Sequence, residues 1–224
     1  MKRITSGLAA AVCAVVPLVA VAAPAEAGTR WQQRSTGSFA QTDWVEMGTL
    51  PGGVPGNVHV GFLRAEGDKN VMAFGQVLDW TCPEGEMPPA GGGGHGEEPP
   101  AETNCTLDAE RFMFGDGLSL AVDRKLSTAR LTGTLTVENH GGEGTPASPP
   151  VDITWTGVGG TASSTVQDTF TDPNGTRYYT KRTETSREGT VSGRIGAMGF
   201  DDDADDVSSG YFGTFRVMDR GTTP

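Results

Sequence analysis

Five carboxylates lie within six residues in Asp201-Asp-Asp-Ala-Asp-Asp206, the densest concentration of metal-binding chemistry in the chain. Calcium takes hard oxygen donors, and Asp201, Asp203 and Asp205 present them at alternate positions. An EF-hand loop needs Gly at its sixth position and Glu at its twelfth. Counted from Asp201 those places hold Asp206 and Phe212, so that motif fails. The competing reading is a solvated acidic turn between two strands. Calcium is the one cofactor that the sequence offers.

A second cluster has the opposite sign. Arg177, Tyr178, Tyr179, Lys181 and Arg182 follow one another closely, with Arg187 and Arg194 beyond them and only Glu184 and Glu188 in opposition. Guanidinium forks and tyrosine rings make good contact surfaces, through paired hydrogen bonds and stacking. These five residues are therefore the expected binding surface. Charge that guards the edge of a sheet, or that neutralises the acidic run, would produce the same composition.

Catalytic chemistry has less to stand on. The three histidines, His59, His95 and His140, are the only imidazole bases. The nearest approach to a Gly-x-Ser-x-Gly nucleophile turn is Gly117-Leu-Ser119-Leu-Ala121, which lacks the second glycine. His59 lies in Val58-His-Val60, where alternation turns it away from both valines, so it is expected to face solvent. Zinc-type His and Cys spacings do not occur, and neither does a phosphate-binding Gly-x-x-x-x-Gly-Lys loop. Among so many carboxylates nothing singles out an acid–base pair. No catalytic residue is assigned.

The elements that must position these groups read as strands. Ala129–Val137 alternates Leu131, Gly133, Leu135 and Val137 with Arg130, Thr132, Thr134 and Thr136. Val151–Gly157 repeats the pattern with Val151, Ile153 and Trp155 on one face. Half-buried, Thr-rich strands of this kind pair antiparallel. Weaker alternation at Ser38–Met47, Asn57–Arg64, Val71–Thr81, Glu110–Gly115, Leu118–Arg124, Ser164–Thr171, Arg177–Thr185, Thr190–Met198 and Tyr211–Met218 brings the expectation to roughly nine to eleven short strands. Asp172-Pro-Asn-Gly175 marks a hairpin, because Pro pre-sets one turn dihedral and Asn-Gly accepts the left-handed ones.

Glycine recurs on the apolar side in Leu131-Thr-Gly133-Thr-Leu135, Val191-Ser-Gly193-Arg-Ile195 and Tyr211-Phe-Gly213-Thr-Phe215. Strand interiors spend glycine where they coil sharply or approach another backbone closely. The expected fold is all-β, a single antiparallel barrel or sandwich, with the barrel preferred.

Residues 1–27 read as a removable leader: Lys2 and Arg3, an apolar stretch from Leu8 to Val21, then Ala25-Glu26-Ala27 as a small-residue cleavage site. The stretch is too short for a transmembrane segment. Residues 28–224 form the expected single domain. Its two cysteines, Cys82 and Cys105, would pair in an oxidising compartment, tying the base of a Pro-, Gly- and Glu-rich loop. Loss of Lys2, Arg3 and Glu26 takes the net charge from −11 to −12, an unfavourable mean field for nucleic acid.

The function expected from these features is an exported, non-enzymatic β-domain, secreted or held at the cell envelope, that binds an envelope polymer or protein. Two alternatives compete with it. One is a secreted hydrolase with a site at a barrel mouth using His59 or His140, and the other is a calcium-stabilised adhesion domain.

Overall fold

The computed structural model describes residues 30–47, 57–84, 86, 88, 104–140, 146–200 and 208–222. All regular structure among them is β: β1 (Arg30–Thr42), β2 (Val45–Met47), β3 (Asn57–Gly67), β4 (Val71–Thr81), β5 (Thr106–Val122), β6 (Thr128–Thr134), β7 (Thr136–Asn139), β8 (Pro150–Thr171), β9 (Arg177–Ile195), β10 (Met198–Phe200) and β11 (Ser209–Thr222). The leader, the acidic residues Asp201, Asp203 and Asp205, and most of the loop between the cysteines lie outside the described residues. No helix among the described residues is long and apolar enough to cross a membrane.

Every pairing is antiparallel, and the pairings return to their origin. β3 pairs β4, β4 pairs β5, β5 pairs β6, β6 pairs β8, β8 pairs β9, β9 pairs β11, β11 pairs β1, and β1 pairs β3. The last link is short: Ser38–Gln41 of β1 bond to β11 on one side and to Arg64–Gly67 of β3 on the other. Two side chains fasten that seam. Buried Thr42 Oγ1 accepts from Leu63 N–H at 2.9 Å, and Trp155 Nε1–H donates to the Gln41 carbonyl at 3.0 Å.

Alternation explains which side chains fill the ring. Leu63, Val77, Met113, Leu131, Ile153, Trp155, Val191, Ile195 and Phe212 are all buried inside it. Several strands run longer than their separate sequence signals, since Ser164–Thr171 joins Val151–Gly157 in β8 and the two runs after Arg177 join in β9. The register skips between Gly157 and Thr161, a bulge that hid the continuity. Glycine on the core side answers to close approach. Gly193 adopts φ +124° where β9 bonds to both β8 and β10, and a Cβ there would sit 2.2 Å from the Asp152 carbonyl oxygen.

Cys82 and Cys105 form the expected disulfide, with Cα atoms 4.1 Å apart. Beside it, Asn104 donates to the Glu86 carboxylate through both its backbone and its side-chain N–H groups, at 2.9 and 2.8 Å. The Asp172–Gly175 hairpin also forms as expected. Asp172 Oδ1 accepts from the backbone N–H groups of Asn174 and Thr176, each at 2.9 Å.

Four strands outrun the ring. Beyond it, β8, β9, β11 and β1 continue as a four-stranded arm, in register from Thr161 to Thr171 along β8 and from Arg30 to Gly37 along β1. β6 pairs β8 only as far as Thr156, so the arm segment of β8 is an edge. Residues 158–171 of β8 and 30–36 of β1 are exposed.

Candidate functional site

Residues directly opposite in a sheet point to the same side, so register assigns each arm side chain to a face. One face continues the ring interior. β1 gives it Arg30, Gln32, Arg34, Thr36 and Ser38. β11 gives Thr222, Arg220, Met218, Arg216 and Thr214. β9 adds Arg177, Tyr179, Lys181, Thr183, Thr185 and Arg187, and β8 adds only Thr, Ser and Gln. Among the described residues the face carries seven cations and no carboxylate, in a chain whose net charge is −11.

Arg187 is committed to structure at the junction with the ring. Its guanidinium donates to the Leu126 carbonyl at 3.2 Å and to the Val158 carbonyl at 3.4 Å. None of the other six makes an ion pair among the described residues. They form two triplets with one cation from each of three strands: Arg30, Arg177 and Arg220 near the tip, and Arg34, Lys181 and Arg216 nearer the ring. Members on the same strand are four residues apart, about 13 Å at strand rise. The inner triplet surrounds a shallow depression of about 330 Å³ lined also by Thr36, Thr183 and Met218. Hydroxyls fill the spaces between charges: Ser163 and Thr185 oxygens lie 3.2 Å apart, Thr165 and Thr183 oxygens 3.3 Å. Tyr179 O–H donates to Gln167 Oε1 at 3.2 Å.

The opposite face is aromatic and acidic, and it packs. Tyr178 stacks on Phe170 at 5.3 Å and meets Trp31 edge-on at 6.3 Å, a row that spans the arm near its tip. Arg182 lies over the Phe215 ring at 4.4 Å and donates to Glu184 at 2.6 Å and Glu66 at 3.2 Å. Glu66 also accepts from Arg64 at 2.8 Å, which joins the base of the arm to the β3–β4 hairpin. Burial works to raise the Glu66 carboxyl, but the Arg64 hydrogen bond and charge, with the Arg182 charge, outweigh it and hold it below its ordinary value. The five residues expected to form one surface thus divide. Arg177, Tyr179 and Lys181 share the cationic face; Tyr178 and Arg182 pack the other.

Sequence reasoning missed Arg30, Arg34, Arg216 and Arg220. Each strand does show the signal, two arginines on one parity with no acid between them on that side. Only the pairing of β1 and β11 against β9 puts the sets together.

The histidines also fall differently from the expectation. His59 does turn away from its valines, but the side it turns to is the ring interior, where it is 6% exposed. Val58 and Val60 look outward instead, onto a partly covered surface that includes Phe62, Phe74 and Trp80. His59 Nδ1 lies 2.6 Å from Asp79 Oδ1, directly across the β3–β4 pair. A carboxylate only accepts, so Nδ1 carries the hydrogen. Arg111 donates to the other Asp79 oxygen. The pair resembles a base held by its orienting carboxylate, yet His59 hydrogen-bonds no hydroxyl among the described residues. His140 is exposed, 3.4 Å from Glu110 Oε2, beside an open depression of about 340 Å³. His95 lies outside the described residues, and no group of His, Cys, Asp and Glu among the described residues is arranged to hold a metal ion.

Compared with known protein families, curated proteins and solved structures, the chain shows no match.

Proposed function

We propose that the chain is an exported, non-enzymatic β-domain that binds an anionic partner of the cell envelope or its surroundings through the cationic face of the arm. One observation carries this reading: six cations that make no ion pair among the described residues share a largely exposed face to which the described strands bring no carboxylate, in a chain of net charge −11. Like charges on neighbouring strands oppose one another. An anion laid across them relieves that repulsion and is drawn in by the local field, whatever the net charge of the whole. The Thr, Ser and Gln rows between the cations offer donors and acceptors to a hydroxylated ligand. Acidic polysaccharides supply both kinds of group.

The test is retention on sulfated and uronic-acid polysaccharides as a function of salt. Arg34→Gln, Lys181→Gln and Arg216→Gln together remove half of the unpaired cations. They are expected to weaken binding and to halve the slope of log affinity against log salt concentration. Lys69→Gln, Arg124→Gln and Lys125→Gln remove equal charge from exposed turns and are expected to leave the slope nearly unchanged. Equal effects from the two sets, or no retention by the wild type at low salt, overturn the proposal.

A further inference from the structure

The pairings of the ring close on themselves, whereas the arm has two edges among the described residues, and they differ. The β1 edge carries Arg30 and Arg34. The β8 edge runs Val-Gly-Gly-Thr-Ala-Ser-Ser-Thr-Val-Gln-Asp-Thr-Phe-Thr from Val158 to Thr171, with one charge, Asp168, and no proline. An exposed edge presents a row of backbone donors and acceptors, and proteins usually block such a row with charge, proline or a covering element. Among the described residues such protection on β8 is confined to Asp168, whose carboxylate accepts from the Thr169 backbone N–H at 2.7 Å; Thr161 to Gln167 carry no charge, proline or covering element. Three of its side chains are large, apolar and open to water: Val158 at 44%, Val166 at 58% and Phe170 at 55% exposure.

We infer that this edge pairs with the same edge of a second copy, antiparallel about a two-fold axis at Val166. The axis pairs Val166 with its own copy, Thr165 with Gln167, Ser164 with Asp168, Ser163 with Thr169, Ala162 with Phe170 and Thr161 with Thr171. Every apolar residue of that stretch then meets an apolar one, every hydroxyl meets a polar group, and the carboxylate meets a serine. Neighbouring registers are worse. Moving the axis to Thr165 sets Val166 against Ser164 and Asp168 against Ala162. Moving it to Asp168 sets the carboxylate against itself, which is destabilising. In the Val166 register eleven residues of each copy align, enough for about one backbone hydrogen bond per pair.

The unlike edges explain why the assembly stops at two. β1, with its arginines, repels its own copy, so β8 pairing closes a dimer and does not propagate. The two-fold axis stands perpendicular to the sheet and keeps both cationic faces on one side, giving an eight-stranded surface with twice the cations. The inference stands on the edge alone and does not depend on what the cationic face binds.

Sedimentation equilibrium of the oxidised chain over a range of concentrations tests it. A monomer–dimer equilibrium is expected, weakened at least about tenfold by Val166→Lys, which places a cation against its copy on the axis. Val166 is exposed, so at a concentration low enough for both to be monomeric the variant is expected to keep the wild-type melting temperature. Register is read separately from spin labels at single introduced cysteines. Labels at Val166→Cys face each other and broaden strongly. Labels at Thr171→Cys stand ten residues apart along the strands, about 33 Å. A chain that stays monomeric at all concentrations overturns the inference. So does a dimer unaffected by Val166→Lys, or one in which the labels at 171 lie closer than those at 166.

Discussion

Asp79→Ala is the perturbation that bears most directly on how the ring is held at the end where His59 and Arg111 enter it. Asp79 is 5% exposed, and its two oxygens are taken by His59 and Arg111. Hydrogen bonds to a charged group contribute about 1.5–3 kcal/mol each, and breaking a buried pair from one side costs about 3–5 kcal/mol. The Arg111 side chain is 30% exposed and can turn towards water once it loses its partner, which favours the lower end, about 3 kcal/mol. A domain of this size shifts its melting temperature by about 2–4 °C per kcal/mol, so a fall of about 6–12 °C is expected.

Urea unfolding followed by tryptophan fluorescence measures the loss directly, because buried Trp155 reports on the same core. The slope against urea is expected to stay constant. Asp79→Asn keeps an acceptor of similar volume and is expected to cost only about 1–2 kcal/mol. Adding Arg111→Ala to Asp79→Ala removes the stranded cation and is expected to recover part of the loss, a non-additivity of about 0.5–3 kcal/mol. A loss below about 1 kcal/mol for Asp79→Ala, in the range of ordinary surface changes, would refute the assignment of a stabilising role to the cluster. Strict additivity in the double variant would refute the coupling.

Three further outcomes follow from named contacts. Glu66 has its carboxyl held low in the folded state, so its contribution is present above the ordinary carboxylate range and is lost as pH falls through the lowered value. Thermal melts of wild type and Glu66→Gln are therefore expected to differ most near neutrality and to converge in acid; a gap that is constant with pH counts against the Arg64–Glu66–Arg182 network. Replacing Cys82 and Cys105 by Ala opens a loop of sequence separation 23 and is expected to cost about 3 kcal/mol in denaturant unfolding, against no change on adding reductant to the variant. Gly193→Ala forces a methyl group to within 2.2 Å of a carbonyl oxygen at a left-handed φ, and a loss of at least about 1 kcal/mol is expected. An unchanged midpoint would mean that β9 can relax there.

Much of this architecture is local and could be read from the chain. Side chains on a strand alternate with period two, so Leu131, Ile153 and Trp155 declared an inward face before any pairing was known. The Asp172–Gly175 turn was equally legible, since its dihedral demands are met by Pro, Asn and Gly themselves. With Cys13 read as part of a removable leader, Cys82 and Cys105 had only one way to pair.

What alternation cannot supply is which side of a strand is inside. His59 shows the cost: its orientation relative to Val58 and Val60 was right, and its environment was opposite to the expectation, because both sides of β3 are partly covered. The cationic face shows the same limit over longer distances. Arg177 and Lys181 were visible as a local cluster, but proximity in sequence mixed them with Tyr178 and Arg182, which a strand necessarily sends to the other side. Arg30, Arg34, Arg216 and Arg220 come from chain ends almost two hundred residues apart. Composition and period fixed the kind of element and the spacing of charges within each strand. Register between strands, set by the packing of the ring around Trp155 and Phe212, decided that three separate pairs of cations share one face without a carboxylate.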